Sequence, residues 1–179
     1  MSDQARIAEN WRPIVGYEGL YEVSDHGQVR RLDRVITVGD RQVLWRGRIL
    51  KQHSHGRKGH VSVQLWRDGE SKRRTVHILV AEAFIGARPP GMQIRHLNGN
   101  AADCRLTNLA YGTQSENVQD SVRHGTHVQA RKTHCPQGHE YTADNTYAKP
   151  LRNGRTAREC RVCQRANGRA YRQRVRSER

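Results

Sequence analysis

The chain has 179 residues and a formal net charge of +15 at pH 7. This basic balance predicts a polyanionic partner, with nucleic acid as the first choice. Hydrophobic residues make up only 35% of the chain, and there is a single Phe. This composition argues against one large core and favours small modules, at least one of them held together by a cross-link such as a metal ion or disulfides. There is no apolar run long enough to cross a bilayer and no apolar signal segment after Met1, so we expect a cytoplasmic protein.

The first recognisable structural pattern runs from Trp11 to Leu32. Apolar residues lie on both sides of the turn string SDHG, which predicts two short strands joined by a tight turn at Asp25 to Gly27. The following residues, 33–48, show weak periodicity, and we expect an irregular hairpin or a loop there.

A further pair of strands is predicted from the string HVSVQLW, which has the two-residue period of a half-buried strand. Asp68 and Gly69 then form a hairpin turn into SKRRTVHI. Lys72, Arg73 and Arg74 follow this turn and are candidate contacts to a phosphate backbone. An ordinary solvated strand end is the alternative.

A short helix is predicted from the string HILVAEAFIG, and the run PPG ends it. His77 opens this helix, and we interpret it as a local hydrogen-bonding residue, with lining a cleft or binding a phosphate as the alternatives. His53, His55 and His60 lie in a basic stretch, which we interpret as an exposed loop rather than a metal site.

Residues 94–124 combine several local signals. His96 is followed by LNGN, whose residues tolerate left-handed backbone in a tight turn. NLAYG is typical of a short strand, and Thr113 with Glu116 forms a capping box that starts a helix. The predicted order is strand, loop, strand and helix, with His96 near the end of the first strand and Asn117 in the first turns of the helix.

The strings HLNGN, TNLAYGT and SENV resemble the HNH nucleases, most closely their phage and intron-encoded members. The N-terminal string WxxIxGYEGLYEVSxxGxVRRL is similar to the strand-rich module that often precedes the HNH motif in those endonucleases. The resemblance implies a hairpin packed on one helix around a single divalent metal. It places the landmark positions at His96, Asn108 and Asn117.

The chemistry of phosphodiester hydrolysis is consistent with these residue types. His96 is the candidate general base, because a neutral imidazole accepts a proton from water at neutral pH. A Mg²⁺ or Mn²⁺ ion would stabilise the charge on the phosphate and on the leaving 3′ oxygen, with Asn117 as the first ligand through its side-chain carbonyl. The resemblance makes Asn108 structural: its amide holds the loop that carries His96.

Arg95 departs from the family pattern, in which an acidic metal ligand often precedes the base. Either the metal site is lost or another residue supplies the ligand. Asp120 and His124 share a helix face with Asn117, so we propose one of them as the replacement ligand, which leaves Arg95 to contact a phosphate. An exposed ion pair near the end of the helix is the alternative interpretation of Asp120 and His124.

A second metal site is predicted near the C-terminus. Cys135 and His139 form one chelating pair, and Cys160 and Cys163 form another, which is the pattern of a structural Cys₃His zinc site. Disulfides are the competing explanation. The module resembles zinc-binding appendages of phage HNH proteins, and Cys104 stands apart from it as a small packing residue.

The residues between these pairs predict a hairpin that turns at Asn153-Gly154, and a basic helix follows it. An interruption of this helix is expected at Asn167-Gly168. Its arginines are spaced three or four apart, so one helix face could neutralise successive phosphates. The candidate DNA contacts in this helix are Arg161, Arg165, Arg169, Arg172 and Arg176. A disordered basic tail is the alternative.

Together these patterns predict an α+β protein with three modules: a strand-rich DNA-binding module at residues 1–66, an HNH ββα-metal core at 67–128 and a zinc-stapled hairpin with a basic helix at 129–179. The predicted function is metal-dependent cleavage of double-stranded DNA in a bacterial host cell, by a monomer or homodimer without an obligatory protein partner or a membrane. A DNA-binding protein with a decayed metal site is the first alternative, and a zinc-stapled RNA-binding protein is the second.

Overall fold

A computed structural model describes residues 8–152, 154 and 156–178 of the chain. Two compact units can be separated, Met1–His124 and Gly125–Arg179. Within the described ranges, no helix has the length and the apolar character that crossing a bilayer requires. The fold is of the predicted α+β class, with short strands and few helices.

The N-terminal strands form a four-stranded antiparallel sheet because buried apolar residues alternate with more exposed ones. Tyr21 and Val23 are buried on one strand, and Val29 is buried on the next. The strands are β1 (Trp11–Pro13), β2 (Tyr21–Ser24), β3 (Val29–Arg31) and β6 (Arg48–Ile49), in the order β1-β2-β3-β6. A separate hairpin, β4 (Arg34–Val38) and β5 (Arg41–Trp45), occupies the stretch expected to be an irregular hairpin or loop.

The next sheet has three antiparallel strands, β7 (His53–His55), β8 (His60–Arg67) and β9 (Glu70–Thr75). The predicted turn between β8 and β9 is present: Asp68 has φ 52° and Gly69 has φ 80°. Two successive residues with positive φ are the signature of the tight hairpin turn that Asp-Gly favours. In β8, Val63 and Leu65 are 1% and 0% exposed, whereas Gln64 between them is exposed.

Helix α1 (Val76–Phe84) follows β9 directly and buries Val76, Leu79, Val80 and Ala81. This i, i+3, i+4 spacing makes one apolar face. That face joins a single hydrophobic core with residues from the N-terminal sheet and from the segment 93–123. The core comprises Ile14, Tyr17, Tyr21, Val23, Val29, Val63, Leu65, Val76, Leu79, Val80, Cys104 and Leu109.

The N-terminal turn lies directly against the loop that follows His96. Gly27 has φ +81°, and a Cβ atom added there would lie 3.0 Å from the Cβ of Cys104, so the close approach requires glycine. The Leu106 N–H donates to the Asp25 carbonyl at 2.8 Å. The core and this contact span the predicted boundary between residues 66 and 67.

The segment 93–123 has the predicted order of elements. Strand β10 (Gln93–His96) pairs with β11 (Leu109–Gly112), and a short 3₁₀ turn (Leu106–Asn108) precedes β11. Helix α2 (Gln114–Arg123) begins at the predicted capping box: the Thr113 side chain accepts from the Glu116 N–H, and the Glu116 carboxylate accepts from the Thr113 N–H.

The second unit contains α3 (Val128–Arg131), the antiparallel pair β12 (Thr146–Pro150) and β13 (Thr156–Cys160), and α4 (Arg161–Ser177). Gly154 of the predicted turn has φ +74°. The other residue of that turn, Asn153, lies outside the described residues. The expected interruption at Asn167-Gly168 is wrong, because α4 continues through both residues.

Replacing Leu65 with Ala tests the shared core. Because Leu65 is fully buried, the substitution leaves a cavity and should lower the free energy of unfolding by about 2–5 kcal/mol. Gln64→Ala, on the exposed face of the same strand, is the matched control and should change it by less than about 0.5 kcal/mol. Urea denaturation measures both, and equal losses would contradict the assignment of the core face.

Candidate active site and metal-binding groups

His96 lies at the end of β10, opposite Leu109 on β11. Asn108 holds the intervening loop through both ends of its amide. Its Oδ1 accepts from the Asn98 N–H at 2.8 Å, and its Nδ2 donates to the Asp103 carbonyl at 2.8 Å. Asn108 is only 6% exposed, so these hydrogen bonds fix the backbone that follows His96.

The two faces of β10 have different partners, because successive side chains of a strand point in opposite directions. Gln93 and Arg95 contact α2. Ile94 packs against the core, and the His96 ring lies near His77 of α1. The Asn117 Nδ2 donates to the Gln93 Oε1 at 2.8 Å, so Asn117 contacts the Gln93 and Arg95 face of the strand.

Arg95 binds two carboxylates of α2. Its Nε and Nη2 donate to the two oxygens of Asp120 at 2.7 and 3.1 Å, and its Nη1 donates to Glu116 at 3.0 Å. The Asp120 side chain is only 5% exposed. These hydrogen bonds with Arg95 lower the pKa of Asp120 against the opposing effect of burial.

This ion pair differs from the predicted roles of Arg95 and Asp120. The guanidinium was expected to be free for a phosphate, but its donors are engaged by carboxylates. Asp120 was one of the two proposed replacements for the missing metal ligand, but both of its oxygens accept hydrogen bonds from Arg95. The physical reason is that a buried carboxylate beside an arginine forms a bidentate pair.

His124 caps the C-terminus of α2, where its backbone N–H donates to the Asp120 carbonyl at 2.8 Å. Its ring lies against Gly99, because a Cβ atom added to Gly99 would be 2.6 Å from the His124 Nδ1. Among the described residues, neither Asp120 nor His124 belongs to a group of metal-ligand atoms within 4.8 Å of one another.

Three imidazole rings converge at the core side of β10. The ring centroids of His77 and His96 are 4.9 Å apart, those of His60 and His77 are also 4.9 Å apart, and those of His60 and His96 are 5.5 Å apart. One ligand atom from each residue lies within 4.8 Å of the others. The interpretation of His60 as part of an exposed basic loop is therefore wrong. The three residues lie on different elements, so no local spacing indicates that they meet.

Burial keeps these rings neutral. It lowers the pKa of His77 to about 3 and the pKa of His96 to about 4, and the neighbouring imidazoles add to both effects. The Asp103 carboxylate acts in the opposite direction on His96. At pH 7 the His96 ring therefore has a lone pair available for a proton or for a metal ion.

The predicted Cys₃His residues form a second group. The Cys135 Sγ is 3.7 Å from the Cys163 Sγ and 3.5 Å from the His139 Nδ1, and all four ligand atoms, including that of Cys160, lie within 4.8 Å of one another. Zn–S bonds of about 2.3 Å in a tetrahedron separate two sulfurs by about 3.8 Å. The observed separations therefore fit a tetrahedral zinc ion, and the cysteines are free thiols rather than disulfides.

The predicted DNA contacts differ in exposure. On β9, Lys72 and Arg73 are exposed and point to opposite faces, whereas Arg74 pairs with Glu82 at 2.7 Å. The arginines of α4 are all exposed, and this helix has no buried residue. Because their spacing follows the helical period, these five share one face of α4: Arg161, Arg165, Arg169, Arg172 and Arg176.

Arg95→Met tests the buried ion pair. Removing the guanidinium leaves Asp120 buried without its bidentate partner, so the free energy of unfolding should fall by about 3 kcal/mol. Arg123→Ala is the matched control, because Arg123 contacts the same carboxylate at 3.3 Å but is 69% exposed. This substitution should lower the free energy of unfolding by less than about 1 kcal/mol.

The pH dependence of unfolding provides a second measurement of this pair. A carboxylate with a lowered pKa stabilises the fold above its unfolded pKa of about 4, and this stability is lost as the pH falls further. The Arg95→Met variant should therefore lose less stability than the unchanged protein below about pH 4. Similar costs for Arg95→Met and Arg123→Ala would contradict the assigned role of Arg95.

Cys160→Ser tests the Cys₃His group. We expect about one tightly held zinc ion per chain after gel filtration, and loss of that ion when one thiolate is removed. Cys104→Ala, which changes a cysteine outside the group, should retain it. Metal analysis measures both variants, and full zinc content in Cys160→Ser would rule out this ligand set.

Sequence comparison identifies two family segments in the chain. Residues 9–66 match the NUMOD4 motif, and residues 74–119 match the HNH endonuclease family. The first segment covers the N-terminal sheets as far as β8. The second covers α1, the β10–β11 hairpin and the first half of α2.

Two curated relatives extend this likeness. The chain is 33% identical over 116 residues to DNA endonuclease I-HmuI of Bacillus phage SP01, which covers 65% of this chain and 59% of the relative. It is 33% identical over 123 residues to an uncharacterized HNH endonuclease of Acanthamoeba polyphaga mimivirus, which covers 66% of this chain and 27% of that protein. The chain thus spans less than two thirds of either relative.

A solved structure agrees with the sequence comparison. The fold is similar to that of the HNH homing endonuclease I-HmuI, described for its DNA binding and cleavage, with 31% identity and a TM-score of 0.50 over 65% of this chain and 60% of that chain. By its NUMOD4 and HNH segments and by its fold, the chain belongs to the phage-type HNH endonuclease family.

Proposed function

We propose that this chain hydrolyses phosphodiester bonds in double-stranded DNA in a metal-dependent reaction, with His96 as the general base. The observation that carries the proposal is the hairpin and helix of the HNH segment, with His96 at the end of β10 and Asn108 holding the following loop. The phage relative is named as a DNA endonuclease, which supports the same reaction here.

In this proposal the neutral His96 ring accepts a proton from the attacking water. Burial makes the ring a weak base, because it lowers the pKa of His96 to about 4. A bound phosphate would raise that pKa, since a nearby anion favours the protonated imidazole. The loop network that includes Asn108 and Asp103 keeps the ring in position for the transfer.

A divalent ion at this site would stabilise the negative charge on the phosphate and on the leaving 3′ oxygen. The ligand set expected from the sequence does not fit well, because Arg95 supplies a positive charge beside Asp120. Asn117 retains its carbonyl oxygen as a candidate ligand, since only its Nδ2 is used in the hydrogen bond to Gln93. An ion held by Asp120 is therefore not part of the proposed reaction.

Double-stranded DNA is the proposed substrate because of the charge distribution. The exposed arginines of α4 form a stripe that can neutralise successive phosphates, and such contacts position a protein without specifying a sequence. Lys72 and Arg73 are further exposed cations in the unit that contains His96. The cytoplasm of a phage-infected or mobile-element-carrying bacterium is the proposed location.

A DNA-binding protein that no longer cleaves is the second candidate. The Arg95–Asp120 pair favours it, because the position that often holds an acidic metal ligand carries a guanidinium instead. Both candidates predict DNA binding, and only the first predicts cleavage.

Plasmid cleavage separates the two candidates. With Mg²⁺ or Mn²⁺, the purified protein should convert supercoiled plasmid to nicked or linear DNA. His96→Ala should slow this conversion by at least about 100-fold, the range lost with a general base, while duplex binding stays unchanged.

His53→Ala, at an exposed histidine of the same unit, is the control and should cleave normally. Binding without cleavage by the unchanged protein would favour the second candidate. Normal cleavage by His96→Ala would remove His96 from the mechanism.

A further inference from the structure

The cluster of His60, His77 and His96 has more nitrogen donors than a single general base requires. His60 comes from β8, His77 from the first turn of α1 and His96 from β10. Val76, next to His77, is 0% exposed, and Ile94 packs against the same core. The rings are therefore brought together by the core rather than by a mobile surface loop.

Each ring has a buried nitrogen without a hydrogen-bond partner among the described residues. These atoms are Nδ1 of His60, Nδ1 of His77 and Nε2 of His96. A buried polar atom without a partner costs free energy, and such atoms in a native protein call for an explanation. Three of them in adjacent rings indicate a ligand that accepts several lone pairs at once.

We propose that His60, His77 and His96 form a binding site for a divalent transition metal ion such as Zn²⁺. Imidazole nitrogens suit Zn²⁺, Co²⁺ and Ni²⁺, whereas Mg²⁺ prefers oxygen donors, and no carboxylate of the described residues belongs to this group. Three protein nitrogens leave one coordination position open, unlike the four-ligand Cys₃His group. The buried rings are already in the neutral form that binds metals.

Metal binding at this cluster affects the proposed function, and this consequence depends on His96 being the general base. An imidazole that binds a metal through one nitrogen carries its proton on the other. The ring then has no lone pair left for the attacking water. A transition metal in the cluster should therefore inhibit cleavage that Mg²⁺ or Mn²⁺ supports.

Calorimetry on the full chain, with zinc already bound at the Cys₃His group, tests the site directly. Added Zn²⁺ should bind at one further site per chain and raise the Tm, whereas Mg²⁺ at the same concentration should not. His60→Phe keeps a ring of similar size but removes both nitrogens, so Zn²⁺ affinity should fall at least about tenfold. His53→Phe, at an exposed histidine outside the cluster, should bind Zn²⁺ as the unchanged protein does.

Unchanged Zn²⁺ affinity in His60→Phe would overturn the proposal, and so would equal binding of Mg²⁺. Circular dichroism checks that the variant is folded. If His60→Phe does not fold, His77→Phe serves the same purpose, with the same expected loss and the same overturning result.

Cleavage in Mg²⁺ with increasing Zn²⁺ tests the consequence for His96. The unchanged protein should be inhibited at the Zn²⁺ concentration that fills the further site. In His60→Phe, half-inhibition relative to the variant's own rate in Mg²⁺ alone should need at least about tenfold more Zn²⁺. Zn²⁺ binding without inhibition would overturn the link to His96 and leave the metal site. Zn²⁺ binding by a protein that never cleaves would instead overturn the proposed function.

Discussion

The packing of α1 against strands from both family segments is the interaction on which the site depends. Its apolar face contributes Val76, Leu79 and Val80, each no more than 1% exposed, to a core shared with β2, β3 and β8. The helix begins immediately after β9, so its burial fixes His77 beside β8 and β10. The NUMOD4 segment is therefore part of the structure that positions His96, as well as a candidate DNA-binding surface.

The two faces of β10 differ in the charges that lie beside them. On the α2 face, Arg95 pairs with Asp120 and Glu116, and Arg123 also contacts Asp120, so a metal ion beside Asp120 is disfavoured. On the core face, three neutral imidazoles present lone pairs and no formal charge. With Asp120 engaged by Arg95, the three rings are the more favourable location for a transition metal ion.

Local signals in the sequence were sufficient to predict much of the fold. The Asp68-Gly69 turn, the Thr113 capping box and the order of the HNH elements follow from neighbouring residues alone, and the structure contains each of them. The family resemblance was also correct. By contrast, the approach of His60 to His96 depends on how separate elements pack, and no spacing in the sequence encodes it.

The Arg95–Asp120 pair is a second contact between separate elements that the sequence alone did not predict. The sequence indicated that Asp120 shares a helix face with Asn117, but it did not indicate that this face meets Arg95 across β10. A short polar side chain on a helix can bind a metal or an arginine, and only the partner across the interface decides between them. The prediction of a helix interruption at Asn167-Gly168 was wrong for a simpler reason. A helix of this length accommodates one glycine at modest cost in free energy.

His96 lies beside His60 and His77, and the proposed site needs all three rings to hold one transition metal ion. The most direct measurement is anomalous diffraction at the zinc absorption edge from crystals of the full chain grown with Zn²⁺. We expect one peak within the Cys₃His group and a second among the rings of His60, His77 and His96. A second peak beside Asn117 and Asp120, or no peak among the three rings, would contradict it.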